Sequence, residues 1–282
     1  MAVNTSRVAP TRTPRTGFAY LDAVLDQPGS VIAMAHRGGA MHAELVGLEN
    51  TLDAFRHAVK LGYHYLETDV HASRDGVLLA FHDAVLDRVT DRLGPLATLT
   101  AEEIGRARIA GGHAVPTMAE LLEEFPTVRF NIDLKAEAAV HPLAGLIERT
   151  GAHGRVCVGS FSPRRMRAFR ALTAGRVATS ASPPEVAAVK AAPSAALART
   201  MLRGPHRPAA LQVPHRRGRL TVVTPTFVRR AHAAGLHVHV WTVDEPDEMH
   251  HLLDLGVDGL ITDRTDLLRD VLVARGQWRD HP

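Results

Sequence analysis

Apolar and polar positions along the chain fall into two alternating patterns. Short apolar, β-branched runs occupy residues 31–35, 65–70, 77–81, 129–134, 155–161, 176–180, 209–213, 237–242 and 258–262. Their length and composition predict strands. Between most of them apolar residues recur at helical spacing, as in residues 51–61, where Leu52, Phe55 and Val59 mark one face. Helix starts are well signalled. Thr100-Ala-Glu-Glu103 and Thr117-Met-Ala-Glu120 read as capping boxes. Ser162-Pro163 and Thr224-Pro225 place a capping hydroxyl before a first-turn proline. Gly62, Gly151, Gly235 and Gly256 stand where helices end in a left-handed residue.

Counting 77–81 as a continuation of the second strand leaves eight strand–helix units. Repeated alternation of this kind implies a parallel sheet. Eight units in a chain of 282 residues favour a closed barrel, because α/β barrels run to about 250 residues as one domain. The predicted fold is therefore α/β, a single (β/α)8 TIM barrel spanning 17–282. Residues 83–116 carry one helical piece and no evident strand, too long for an ordinary connection, and are read as a rim insertion after the second strand. Residues 1–16 are read as a disordered N-terminal arm.

Composition narrows the partners. Charged residues make up 22%, close to the globular average of about 25%, which argues against wholesale disorder. A single cysteine, Cys157 in the apolar run Val-Cys-Val, excludes an internal disulfide and any multi-cysteine metal site, and reads as a buried thiol. There is no apolar run long enough for a transmembrane segment. The N-terminus lacks a continuous apolar stretch of the secretory kind, so a cytoplasmic protein is expected. The pI is 9.4, and basic residues concentrate in 203–219 without interleaved aromatics. That pattern fits a solvated loop better than a nucleic-acid surface. Oligomeric state is not encoded in any of these features.

The candidate chemistry lies at strand ends. His36-Arg37-Gly38-Gly39 follows the first strand. Glu67 and Asp69 stand two apart on the second, and Asp133 and Lys135 two apart on the next. Residues at that spacing share one sheet face, and in a barrel that face can be the interior. Bare carboxylates there must be paired or metal-bound. Three hard oxygen ligands suit Mg²⁺ or Ca²⁺. Salt bridges to Lys135 or Arg37 are the other reading, and spacing does not separate the two. His82-Asp83 ends a further apolar run.

These residues, taken with their neighbours, resemble the glycerophosphodiester phosphodiesterases, members of the phosphatidylinositol phospholipase C-like TIM-barrel phosphodiesterase superfamily. The matching stretches are HRGG at 36–39, ENTLDAF at 49–55, ETDV at 67–70, DGVLLAFHDAVLDRVT at 75–90, VPTMAELL at 115–122, NIDLK at 131–135, SF at 160–161, VHVWTVDEPDEM at 238–249 and GVDGLITDR at 256–264. The resemblance implies metal ligands at Glu67, Asp69 and Asp133 and catalytic histidines at His36 and His82. It implies substrate contacts at Arg37, Lys135, Trp241 and Glu49. It implies hydrolysis of a small-molecule glycerophosphodiester to glycerol 3-phosphate and an alcohol with a divalent cation, Mg²⁺ or Ca²⁺.

Three positions depart from the family. Asp133 stands where many members carry the longer Glu, Leu48 replaces a common proline in a long first loop, and Val89 replaces a threonine. The apolar Leu45, Val46 and Leu48 of that loop would suit the alternative, lysophospholipase D-type hydrolysis of a lysophospholipid. The remaining histidines read mostly as wall, rim or surface residues, with His237 and His239 on the barrel wall and His71 on the metal-facing side of its strand. Asp258 and Asp263 read as shaping the last strand and the helix after it.

Overall fold

In the computed structural model, residues 13–26, 29–202, 204 and 206–278 are described. The apolar runs become eight parallel strands: β1 (Ile32–His36), β2 (Tyr65–Ala72), β3 (Arg129–Leu134), β4 (Val156–Gly159), β5 (Ala178–Thr179), β6 (Ala210–Pro214), β7 (His237–Trp241) and β8 (Gly259–Thr262). They pair in the order β5-β4-β3-β2-β1-β8-β7-β6. The two ends meet as well. Ser180 bridges Ala210 in parallel, with N–H···O bonds of 2.8 Å from Ala181 to Ala210 and from Ala209 to Thr179. The ring is closed, and the chain is a (β/α)8 barrel.

Each strand is followed by a helix on the outside: α1 (Leu52–Lys60), α2 (Met118–Glu124), α3 (Val140–Thr150), α4 (Pro163–Leu172), α5 (Pro183–Ala191), α6 (Pro225–Ala233), α7 (Pro246–Asp254) and α8 (Thr265–Ala274). The capping chemistry explains the starts. Thr100 and Thr117 both form complete capping boxes. Ser162 and Thr224 accept from the third helical N–H ahead of their prolines. No helix among the described residues is long and apolar enough to cross a membrane.

The barrel interior changes character along its axis. At the N-terminal end Ile32, Met34, Tyr65, Cys157 and Ile261 pack into one apolar cluster with Tyr20 and Leu21. The short helix Ala19–Asp22 supplies the last two and plugs that end, with the Tyr65 hydroxyl donating to the Tyr20 carbonyl at 2.8 Å. Cys157 is fully buried, and burial pushes its thiol up to about 12, so it is an inert core residue. Two residues further along the same faces the interior becomes charged: His36 on β1, Glu67 and Asp69 on β2, Asp133 on β3. Register fixes them side by side, His36 against Glu67 and Asp69 against Asp133.

The run 77–81 is corrected in direction. Leu78–Ala80 does not continue β2; it turns back antiparallel to it, pairing Val70 with Ala80 and Ala72 with Leu78. The tight turn at Ser73–Gly76 reverses the chain, with Gly76 at φ +82°. The count of eight units is unaffected. The insertion 83–116 holds a short antiparallel pair, Arg108–Ile109 with His113–Ala114. It buries its own cluster of Leu86, Leu96, Ile104, Ala107 and Ile109 against Leu79 and Phe81. Of the N-terminal arm, residues 1–12 lie outside the described residues; the Pro14 carbonyl accepts a 2.9 Å bond from His237 Nε2.

His239 on β7 is fully buried. Burial, reinforced by His237, pushes its pKa down to about 3, whereas a free imidazole takes a proton near 6.5. Between those values the unfolded chain binds the extra proton, so stability falls as pH drops below about 6.5. This one group contributes a slope of up to about 1.4 kcal/mol per pH unit. His239→Gln should therefore lose Tm less steeply than wild type on acidification. Equal slopes in calorimetry would contradict the assignment.

Candidate active site

The C-terminal mouth of the barrel is where α/β barrels build their sites, and the first turn here is tightly specified. Arg37 adopts φ +50° and is followed by Gly38 and Gly39 at φ +88° and +92°. A Cβ on Gly38 would sit 2.7 Å from Ala54 Cβ, and one on Gly39 would sit 2.7 Å from Thr265. The two glycines thus let the turn lie against α1 and α8. Asn50, at φ +59°, donates its N–H to the Arg37 carbonyl at 2.9 Å. Its side chain accepts from Thr68 Oγ1 at 2.8 Å. Arg37 and Glu49 are thereby held over β2.

Glu67, Asp69 and Asp133 face two basic groups. Lys135 Nζ lies 2.9 Å from Asp69 and 2.8 Å from Asp133, and Arg37 Nε lies 3.1 Å from the other Asp69 oxygen. Burial opposes charge on Asp69, but Lys135 and Arg37 prevail and hold its pKa below the usual carboxylate range. Burial raises Asp133 despite Lys135. Burial and the neighbouring Asp69 push Glu67 up to about 7. The Lys135 carbonyl is itself bound by the Arg165 guanidinium.

Lys135 and Arg37 compensate Asp69 and one Asp133 oxygen, while Glu67 faces only the His36 ring among the side-chain bases, at 3.7 Å, and Asp133 Oδ1 is buried without a hydrogen-bond partner. A hard divalent cation with oxygen ligands fits that donor set. The three are spaced with the Lys135 ammonium between Asp69 and Asp133. Among the described residues, the group that brings three metal-capable atoms within 4.8 Å of one another is a different one at the rim, His42, Glu44 and His57.

The two histidines predicted as catalytic are each oriented by a carboxylate. His36 Nδ1 lies 2.8 Å from Asp263 Oδ1, and its Nε2 lies 3.7 Å from Glu67. Burial disfavours charge on this ring, but Glu67 and Asp263 outweigh it and raise its pKa. His82 Nδ1 lies 2.6 Å from Asp83 Oδ1. His71 Nε2 bonds the His82 carbonyl at 3.1 Å, so this histidine buttresses its neighbour's backbone. Asp263 was expected only to shape the last strand. Its bond to His36 crosses the seam between β1 and β8, and nothing local announces it. Asp244 in turn accepts from the Asp263 N–H at 2.8 Å.

Two further partners carry no signal in spacing alone. Arg88 reaches back from the insertion to Glu49 and Asp83. Phe161, 61% exposed, stands edge-on to Trp241 with ring centroids 5.8 Å apart. A cavity of about 460 Å³ lies elsewhere, between the insertion and α1, against Asp53, Arg56 and His113. It touches none of these site residues.

The profile of the glycerophosphoryl diester phosphodiesterase family matches residues 36–267. Glycerophosphodiester phosphodiesterase 2 of Mycobacterium tuberculosis is 47% identical over 253 residues, covering 89% of this chain and 94% of that protein. The glycerophosphodiester phosphodiesterase of Caldanaerobacter subterraneus is 27% identical, covering 87% of this chain and 98% of that protein. Among solved structures, a glycerophosphoryl diester phosphodiesterase from Silicibacter pomeroyi superposes with a TM-score of 0.76 at 23% identity, over 93% of this chain and 100% of that one. A phosphodiesterase from Oleispira antarctica, solved with the product sn-glycerol-3-phosphate, has a TM-score of 0.70 at 21% identity, over 86% of this chain and 96% of that one. With the barrel closed, the carboxylates gathered at its mouth and this match across most of its length, the chain belongs to the glycerophosphoryl diester phosphodiesterase family.

Proposed function

We propose that this enzyme hydrolyses glycerophosphodiesters to glycerol 3-phosphate and a free alcohol, with His36 and His82 as the acid–base pair. The observation that carries the reading is that two histidines at the barrel mouth each have a carboxylate on Nδ1, Asp263 at 2.8 Å and Asp83 at 2.6 Å. A carboxylate there fixes the tautomer and leaves Nε2 for proton transfer. Glu67, Asp69 and Asp133 would hold the divalent cation, Mg²⁺ or Ca²⁺. When bound, it supplies charge neutralisation at the phosphoryl oxygens.

Arg37 and Lys135 add their own positive charge where the phosphoryl group gathers negative charge. His36 takes the proton from the attacking oxygen, and His82 gives one to the leaving alcohol. The attacking oxygen is first the substrate's own glycerol hydroxyl, closing a cyclic phosphate; the two histidines then exchange roles, His82 taking a proton from the water that opens the ring and His36 returning one to the glycerol oxygen. Trp241, with Phe161 edge-on to it, offers an apolar wall to the glycerol carbons. Glu49 orients Arg37 through a 3.2 Å bond. The product found in the Oleispira antarctica relative supports the same product here.

The long first loop offers little to an acyl chain. Leu45 is buried within the loop and Val46 alone of the apolar trio stands fully in solvent. In a choline-release assay, kcat/KM for glycerophosphocholine should exceed that for lysophosphatidylcholine by about tenfold or more. The reverse preference would move the substrate class to lysophospholipids.

A further inference from the structure

Arg88 stands on the insertion, outside the barrel, yet its guanidinium has all its edges engaged. Nη1 and Nη2 donate to the two oxygens of Glu49 at 2.7 and 2.6 Å, and Nε donates to Asp83 Oδ2 at 2.6 Å. The other Asp83 oxygen is the one on His82 Nδ1. Glu49 also takes Arg37 Nη1 at 3.2 Å, and Arg37 touches Asp69. One unbroken chain of charged contacts therefore runs from the carboxylates of β2 to the histidine at the start of the insertion.

We propose that Arg88 is a positioning residue that holds the His82 ring for proton transfer by locking Asp83. The inference rests on the acid–base reading of His82 given above. A carboxylate orients an imidazole only if its own rotamer is fixed, and Asp83 lies on a connecting segment rather than a strand. Arg88 supplies that restraint through the second Asp83 oxygen. Its own orientation comes from the bidentate pair with Glu49, a geometry that a planar fork can make and an ammonium cannot. Arg88 pulls Asp83 down to about 2 by its hydrogen bond, so Asp83 stays ionised in its role. The Arg88 side chain is 48% exposed. An ion pair that exposed adds little to folding, so its loss should register in turnover rather than in stability.

The test uses purified full-length Arg88→Met, which keeps the apolar stem, with Asp83→Asn, the double variant and His82→Ala. Single-turnover release of the leaving group is compared on two substrates: glycerophosphocholine, whose leaving alcohol needs a proton, and glycerophospho-p-nitrophenol, whose leaving group departs as an anion. Arg88→Met should lower the saturating single-turnover rate on glycerophosphocholine by about 10–100-fold with half-saturation little changed, and should leave that rate near wild type on the nitrophenyl ester. The double variant should be no slower than Asp83→Asn alone. Equal losses on both esters, or a double variant slower by the product of the two single effects, would overturn the proposal. An equal loss on both esters in His82→Ala would instead refute the role given to His82. The double-variant comparison would still decide whether Arg88 acts through Asp83.

Discussion

His36→Ala and His82→Ala should each lower kcat by about 10²–10⁴-fold. The reason is geometric as well as chemical. A phosphodiester needs a proton taken from the attacking oxygen and one given to the departing oxygen, and these are different atoms on opposite sides of phosphorus. His36 and His82 enter from different walls, β1 and the turn after the β2 hairpin. Each is aimed by its own carboxylate. Neither is braced by the other, so each substitution removes one transfer and leaves the rest of the mouth standing. His36 is half-buried at the rim and His82 more open, so truncation should cost little stability. Steady-state kinetics on glycerophosphocholine, with thermal unfolding as the control on folding, checks this. Turnover near wild type in either folded variant would remove that histidine from the mechanism.

Asp69→Asn, and separately chelation of the wild-type enzyme, should each cost several kcal/mol of transition-state stabilisation, about 10³-fold or more in rate. Asp69 is only 2% exposed and shares its two oxygens between Lys135 and Arg37. It is thus the hinge of the charge balance in the mouth. Neutralising it still leaves Lys135 on Asp133 and Arg37 on Glu49, so the loss should show in rate and cation binding far more than in stability. Chelated wild-type enzyme should recover with Mg²⁺ or Ca²⁺, and Asp69→Asn should not. Calorimetric titration gives a readout free of turnover: the wild type should bind one cation at this site and Asp69→Asn none. Full activity in the chelated protein would refute the cation assignment.

The frame of the molecule was readable because each barrel strand carries its own local signature. Apolar length, flanking glycine and a capping residue at the next helix placed β1, β2, β3 and β7 within a residue or two. The i, i+2 spacing of Glu67 with Asp69 and of Asp133 with Lys135 put them on one face before any fold was known. What escaped has a common physical cause. Asp263 meets His36 only because β8 closes onto β1, 227 residues apart, and periodicity carries no information on ring closure. Arg88 meets Glu49 because the insertion folds back over the mouth, an arrangement set by its own small core rather than by any motif. The direction of 77–81 depended on a turn of four residues at Ser73–Gly76, whose reversal outweighs the continuity of the apolar pattern on either side. Of the two readings that spacing left open for the carboxylates, the ion pairs are present: Lys135 and Arg37 pair with Asp69, and Lys135 with Asp133.

In the proposed reaction the mouth of this barrel cleaves a glycerophosphodiester on the alcohol side of phosphorus. Phosphorus-31 NMR of glycerophosphocholine turned over by the purified enzyme with Mg²⁺ or Ca²⁺ tests it directly. A growing glycerol 3-phosphate resonance matched mole for mole by free choline is expected, and no such resonance with His36→Ala under the same conditions. Phosphocholine and glycerol as products, or no turnover with either cation, would contradict it.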